Sequence, residues 1–172
     1  TFIAFSSGYT FTEIFNADTY IDALGSNMNG FEKGFLINTA AIFWMKNINL
    51  DLHRSQTLNI LDQLGQVSEV KTGMPRFIFA HILLPHPPFA FGPNGEHLPF
   101  ESFLLDGDAF NGTSEDYING YSGQLTYLNK LMKNTIAQIL EKSESDPIII
   151  IQGDHGPGAF LKWETLDQAC FQ

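Results

Sequence analysis

The sequence predicts an α/β fold with a mostly parallel sheet, and three observations carry that prediction. Residues 77 to 84 read Phe-Ile-Phe-Ala-His-Ile-Leu-Leu, an apolar run without the alternation of a half-exposed strand, as expected of a parallel strand covered on both faces. Ile148 to Ile151 is a second such run, entered through Pro147, whose missing N–H is tolerated at a first strand position. Between them Tyr117, Tyr121, Leu125, Leu128, Met132, Ile136 and Ile139 recur at steps of three and four, which is one face of a helix. Strand, helix, strand in that order predicts a right-handed crossover, with both strands parallel and their carboxyl ends on one edge of the sheet.

The helix carries its own start and stop signals. Thr113 or Ser114 can cap it, Glu115 and Asp116 complement the dipole in its first turn, and Ser143 to Asp146 supplies turn formers at its end. Upstream, Glu32 to Lys46 and Leu52 to Gln66 each read as an amphipathic helix that covers the sheet, while Ser7 to Gly30, rich in Gly, Asn, Asp and Thr, reads as irregular.

Composition bounds the class. With 172 residues, 44% of them apolar and 13% aromatic, the chain has ample material for one core and is not a disordered segment. Nineteen acidic residues against nine basic ones give a formal charge of -10. With no basic cluster to relieve that charge, nucleic acid is excluded as a partner, because release of counterions from a phosphate backbone needs a cationic face. The lone Cys170 excludes an internal disulfide and a cysteine-based zinc site. The longest unbroken apolar stretch, Ala40 to Met45, is far short of the roughly 18 residues of a membrane span. The chain opens directly on Phe2-Ile3-Ala4-Phe5, which reads as a strand already inside a fold. Residues 1–172 are therefore expected to be part of one domain, truncated at both ends.

The candidate chemistry lies beyond the two apolar runs. Pro85-His86-Pro87-Pro88-Phe89 follows the first, and Gly153-Asp154-His155-Gly156-Pro157 follows the second. A carboxylate and a neutral imidazole are standard oxygen and nitrogen ligands of a divalent metal, and adjacent residues converge on one ion where glycines let the backbone turn sharply. Asp154 and His155 are thus the candidate metal ligands. His86, stiffened between prolines, is the candidate catalytic group that orients substrate or donates a proton. The competing reading of Asp154-His155-Gly156 is a plain tight turn whose carboxylate accepts backbone N–H bonds. His81, inside the first run, reads as a buried neutral imidazole satisfied by one backbone partner, and His53 and His97 as surface residues. Asp106 to Tyr117 fails as a calcium loop. The fifth, sixth and twelfth positions are Phe110, Asn111 and Tyr117, where an EF-hand needs an oxygen ligand, Gly and Glu. Asn111-Gly112-Thr113 is a formal glycosylation acceptor, and residues 85 to 113 form a long loop suited to a lid or specificity role.

Three stretches, His81 to Phe89, Tyr127-Leu128-Asn129-Lys130 and Ile150 to Pro157, together resemble the sulfatase-like branch of the alkaline phosphatase superfamily. Within that branch they resemble membrane-anchored enzymes related to lipoteichoic acid synthases and phosphoethanolamine transferases. The resemblance covers about residues 75 to 160. It implies a three-layer α/β/α, alkaline phosphatase-like fold, incomplete in this chain. It also implies a divalent metal ion, zinc or manganese in relatives with calcium or magnesium as the other candidates, held in part by Asp154 and His155. His86 matches the histidine that contacts the transferred sulfuryl or phosphoryl group or its leaving group. The implied partner is a sulfate- or phosphate-ester substrate, handled on the extracytoplasmic side of a membrane that the parent protein contacts only through segments absent from this chain.

The departures are equally specific. No Cys-x-Pro-x-Arg motif, no early Asp or Glu ending a first strand and no recognisable Ser or Thr nucleophile is found, so the chain is expected to be inactive alone, as the downstream half of the catalytic domain. The rival class is a non-catalytic binding or scaffold domain that keeps the fold with a degenerate metal site. A soluble phosphomutase of the same superfamily is the second enzymatic rival.

Overall fold

A computed structural model describes residues 1–22, 39, 42–70, 73–98 and 112–157. Five main elements are laid out along it: β1 (Phe2–Phe5), β2 (Thr19–Ile21), α1 (Ile42–Gln66), β3 (Phe77–Phe79) and α2 (Ser114–Lys142). They divide between two units, Thr1–Leu83 with Asn129–Pro147, and Leu84–Leu128 with Ile148–Gln172.

The first unit holds the sheet, in the order β2-β1-β3, with both neighbours parallel to β1. Neighbours on both sides make β1 the central strand of the three, and its four residues are apolar throughout, as burial on both faces demands. Ile3 and Phe5 point to one face and join Ile60 and Val67 in the core, with Ile21, Leu64, Ile78, Ala80 and Ile82 packed around them. Thr57, Ile60, Leu61 and Leu64 lie at helical spacing along α1, and of these Ile60 and Leu64 pack with the core residues of the sheet. A 3₁₀ turn at Val67–Glu69 ends the helix. There the Arg76 guanidinium donates to the carbonyls of Val67 (2.6 Å) and Ser68 (3.4 Å), satisfying groups that a helix end leaves open. The Thr135 hydroxyl of α2 donates to the Leu61 carbonyl at 3.3 Å, and Lys142 pairs with Glu69 at 2.6 Å, so the last turns of α2 lie against this end of α1.

The mixed α/β class and the parallel sheet match expectation, and α2 starts where the sequence predicts. Thr113 and Asp116 form a reciprocal cap: the Asp116 N–H donates to Thr113 Oγ1 (3.1 Å), while the Thr113 N–H donates back to the carboxylate (2.9 Å). The Thr113 hydroxyl also donates to that carboxylate at 2.6 Å, and this bond, with the Thr113 N–H bond second, holds the Asp116 carboxyl below its ordinary value.

Four expectations are corrected. The first apolar run is a strand only over Phe77–Phe79, and among the described residues it has a neighbouring strand on one side alone. Ile148–Ile151 forms no strand: no ladder partner reaches it among the described residues, and its side chains are 92, 37, 80 and 62% exposed. Without a neighbouring strand to take its N–H and C=O groups, a four-residue apolar run has nothing to pair with, whatever its propensity. The helix expected over Leu52 to Gln66 begins ten residues earlier as one continuous α1, and Glu32 to residue 38 lies outside the described residues. The stretch after Ser7, expected to be irregular, contains a 3₁₀ turn at Thr10–Thr12 and the strand β2; its part from residue 23 to 30 lies outside the described residues.

Candidate functional site

The candidate histidine of the second unit sits in a loop that cannot build its own backbone ladder. Pro85, Pro87 and Pro88 carry no N–H, so the chain around His86 must be anchored from elsewhere. The first half of α2 provides the anchor. Phe89 packs edge-on against Tyr117 at 5.3 Å, Phe91 against Tyr127 at 5.1 Å, and the Gln124 amide bonds the loop backbone. His86 Nδ1 lies 2.6 Å from the Pro87 carbonyl oxygen. A carbonyl only accepts, so Nδ1 carries a proton, and in the neutral ring the lone pair falls on Nε2.

His155 is built in the same way. Its Nδ1 donates to the Gly156 carbonyl at 2.7 Å, its backbone N–H donates to Asp154 Oδ1 at 3.0 Å, and its Nε2 lies 3.8 Å from the same carboxylate oxygen. The rings of His86 and His155 meet edge to face, with centroids 6.4 Å apart. The structure therefore brings together the His86 and His155 imidazoles and the Asp154 carboxylate within one unit. The route differs from the expected one: with Ile148–Ile151 outside any ladder and β3 ending at Phe79, seven residues before His86, the two loops do not project from the tips of adjacent parallel strands. Asp154 also accepts a backbone N–H, as the tight-turn reading expects, and both its side chain and that of His155 are mostly exposed.

Beyond the carboxyl ends of the sheet in the first unit lies a second polar cluster, which sequence reasoning missed. The Glu13 carboxylate accepts from the Gly8 N–H at 2.9 Å, the Ser7 N–H at 3.2 Å and the Tyr20 hydroxyl at 2.6 Å. Gly8 takes φ +76°, a conformation side chains rarely adopt, and the Glu13 carboxylate fixes that turn. Burial, reinforced by the Glu13 carboxylate, pushes the Tyr20 hydroxyl well above its ordinary value. His81, expected to bond a backbone group inside a strand, instead lies past the end of β3 with Nδ1 2.8 Å from Thr12 Oγ1, which is itself 2.7 Å from Ser7 Oγ.

Of the remaining histidines, His97 is exposed as expected and bridges to Phe91, while His53 is partly buried rather than at the surface. The acidic stretch Asp106 to Asn111, with the asparagine of the glycosylation motif, lies outside the described residues. Gln124 was also missed, because a polar residue beside an apolar stripe reads as the solvent side. The glycines at 120 and 123 were the available signal, since small residues on a helix mark a close approach by another segment.

The chain belongs to the sulfatase family: the family model described as Sulfatase matches residues 5–168, which includes His86, Asp154 and His155. No curated protein and no solved structure matches it. Membership supports a hydrolase or transferase class acting on ester substrates. No helix among the described residues is long and apolar enough to cross a membrane.

Proposed function

We propose that the second unit carries part of the site of a metal-dependent hydrolase or transferase acting on sulfate or phosphate esters, with Asp154 and His155 as ligands of a divalent ion and His86 facing the transferred group. The observation that carries this reading is the shared tautomer of the two imidazoles. Each has Nδ1 committed to a backbone carbonyl and Nε2 left with a lone pair, the form in which histidine binds metals.

The donors fit such an ion. Asp154 Oδ1 and His155 Nε2 lie 3.8 Å apart, against roughly 3.4 Å between neighbouring ligand atoms of a tetrahedral zinc site. They would supply part of a coordination shell, since among the described residues no group of three or more His, Cys, Asp or Glu is placed to hold an ion by itself. A bound ion would polarise the ester oxygens and offset their charge. Because Nδ1 of His86 keeps its carbonyl in either charge state, Nε2 is the ring atom that can orient an ester oxygen or exchange a proton with the leaving group. Placement on the extracytoplasmic side rests on the resemblance to the membrane-anchored branch.

A binding or scaffold role with a degenerate site is the second reading, favoured by the exposure of Asp154 and His155. Calorimetric titration with zinc and with manganese tests the metal site. Asp154→Ala and His155→Ala are each expected to weaken binding at least about tenfold, the scale at which even supporting groups of a metal site act. Unchanged affinity in both variants would remove the site. Metal-dependent turnover of an aryl sulfate or aryl phosphate by the parent protein separates enzyme from scaffold, since residues 1–172 are expected to be inactive alone.

A further inference from the structure

We infer that Gln124 is the positioning residue that fixes the orientation and tautomer of His86, an inference that rests on the reading of His86 as a site residue. Gln124 is 0% exposed, although it is a polar residue on a helix. Its amide holds the His86 loop at both ends: Nε2 donates to the His86 carbonyl at 3.1 Å, and Oε1 accepts from the N–H groups of Ala90 (2.7 Å) and Phe91 (3.2 Å). Between these anchors run Pro87 and Pro88, which have no N–H to donate, so this one side chain replaces the backbone pairing that the segment cannot make.

The carbonyl of Pro87, which takes the Nδ1 proton of His86, lies inside the span that Gln124 closes. Holding His86 O at one end and Ala90 N at the other restricts rotation of the peptide units between them, and so keeps that carbonyl aimed at the ring. The rest of the helix face supports the same geometry. Gly120, one turn before Gln124, lies so close to the Phe89 ring that a Cβ there would collide with it, and Tyr117 closes the other side. Spacing of 117, 120, 124 and 127 puts all four residues on the surface that meets the loop.

His155 provides an internal control, because its Nδ1 bonds Gly156 and shares no atom with the Gln124 network. The experiment is long-range proton–nitrogen NMR on the chain with labelled histidine, comparing wild type with Gln124→Met, which keeps length and volume and removes all three bonds. The expected result is that His86 moves from a single Nδ1–H tautomer towards the average of both forms while His155 keeps its own. A His86 tautomer unchanged in folded Gln124→Met would overturn the proposal, as would equal changes at both histidines.

If the variant does not fold, hydrogen exchange of the wild type decides. Slow exchange at Ala90 and Phe91 supports the anchor, and exchange at the rate of exposed amides rejects it. Zinc added to the wild type reads the other claim separately. A His155 that ignores zinc, while His86 loses its tautomer in Gln124→Met, would remove the proposed metal site and leave the positioning role standing.

Discussion

Phe77–Phe79 and Ile148–Ile151 are both short, unalternating and apolar, yet among the described residues only the first has a strand to pair with. Phe77 and Ile78 stand opposite Phe2 and Ile3 across a parallel ladder, with the rings of Phe2 and Phe77 5.3 Å apart and Ile78 packed on the core. The four isoleucines stand opposite nothing among the described residues, and Ile148 is 92% exposed. An apolar run therefore records a demand for neighbours on both faces and both edges. Whether the demand is met depends on segments elsewhere in the chain, which the run itself does not encode. The consequence for the site is direct: His81 follows the laddered strand and sits in a closed hydrogen-bonded cluster, whereas Asp154 and His155 follow the bare one and stay open to solvent.

The comparison breaks most sharply at the laddered end. Phe5 is fully buried in the central strand, in the same core as Ile60 and Val67. Phe5→Ala removes most of a ring and leaves a cavity, at a cost of about 3–5 kcal/mol, a large fraction of the roughly 5–15 kcal/mol that holds a domain folded. Urea denaturation should show the midpoint collapse, with the β1 and β3 amides losing exchange protection together. A loss below about 1 kcal/mol, typical of substitutions outside a packed core, would mean that this core is not the one that holds the sheet.

Local chemistry was legible wherever it was carried by neighbours in sequence. The Thr113–Asp116 cap and the face of α2 were visible because a cap and a helical stripe need residues only three or four apart. His86, Asp154 and His155 were singled out through residue type, flanking Pro and Gly, and resemblance. What the sequence hid was long-range. The three-residue length of β3 depends on β1, some 70 residues away. The Gln124 anchor spans 34 residues to Ala90, and Thr12 meets His81 across 69. Polar residues whose burial depends on such distant partners look like surface residues until the partner is placed.

A smaller effect sharpens the contrast between regions fixed locally and regions fixed at a distance. Thr113→Ala deletes the hydroxyl that accepts from the Asp116 N–H, and losing a helix cap of this kind costs about 1 kcal/mol. The Asp116 carboxyl should also rise towards its ordinary value, because the Thr113 bonds hold it down. The sign follows from that depression. In wild type the carboxylate stabilises the start of α2 at pH above the ordinary aspartate value near 4, and the contribution fades as pH falls through the lower folded value. In an acid titration of wild type and variant, followed by the Asp116 side-chain carbon in NMR, the difference in stability should therefore narrow at low pH to the part that the Asp116 N–H bond to the hydroxyl supplies. A constant difference down to pH 2 would show that the cap acts without the carboxylate.

The smallest expected change in stability lies in the bare run, and it carries the sharpest test of the comparison. Ile150 is 80% exposed and belongs to no core among the described residues, so Ile150→Thr should alter the unfolding free energy by less than about 0.5 kcal/mol. The same substitution in a laddered, buried strand would introduce a hydroxyl into an apolar interior and cost several times more. Four consecutive isoleucines without a charge are, however, an open template for intermolecular strand pairing. Light scattering on concentrated protein should accordingly show slower self-association for Ile150→Thr even though its denaturation curve overlays the wild type. If the substitution instead costs more than about 1 kcal/mol, a loss that points to burial, the isoleucines are paired in solution. The Asp154–His155 turn would then share the order of a sheet edge rather than that of an exposed loop.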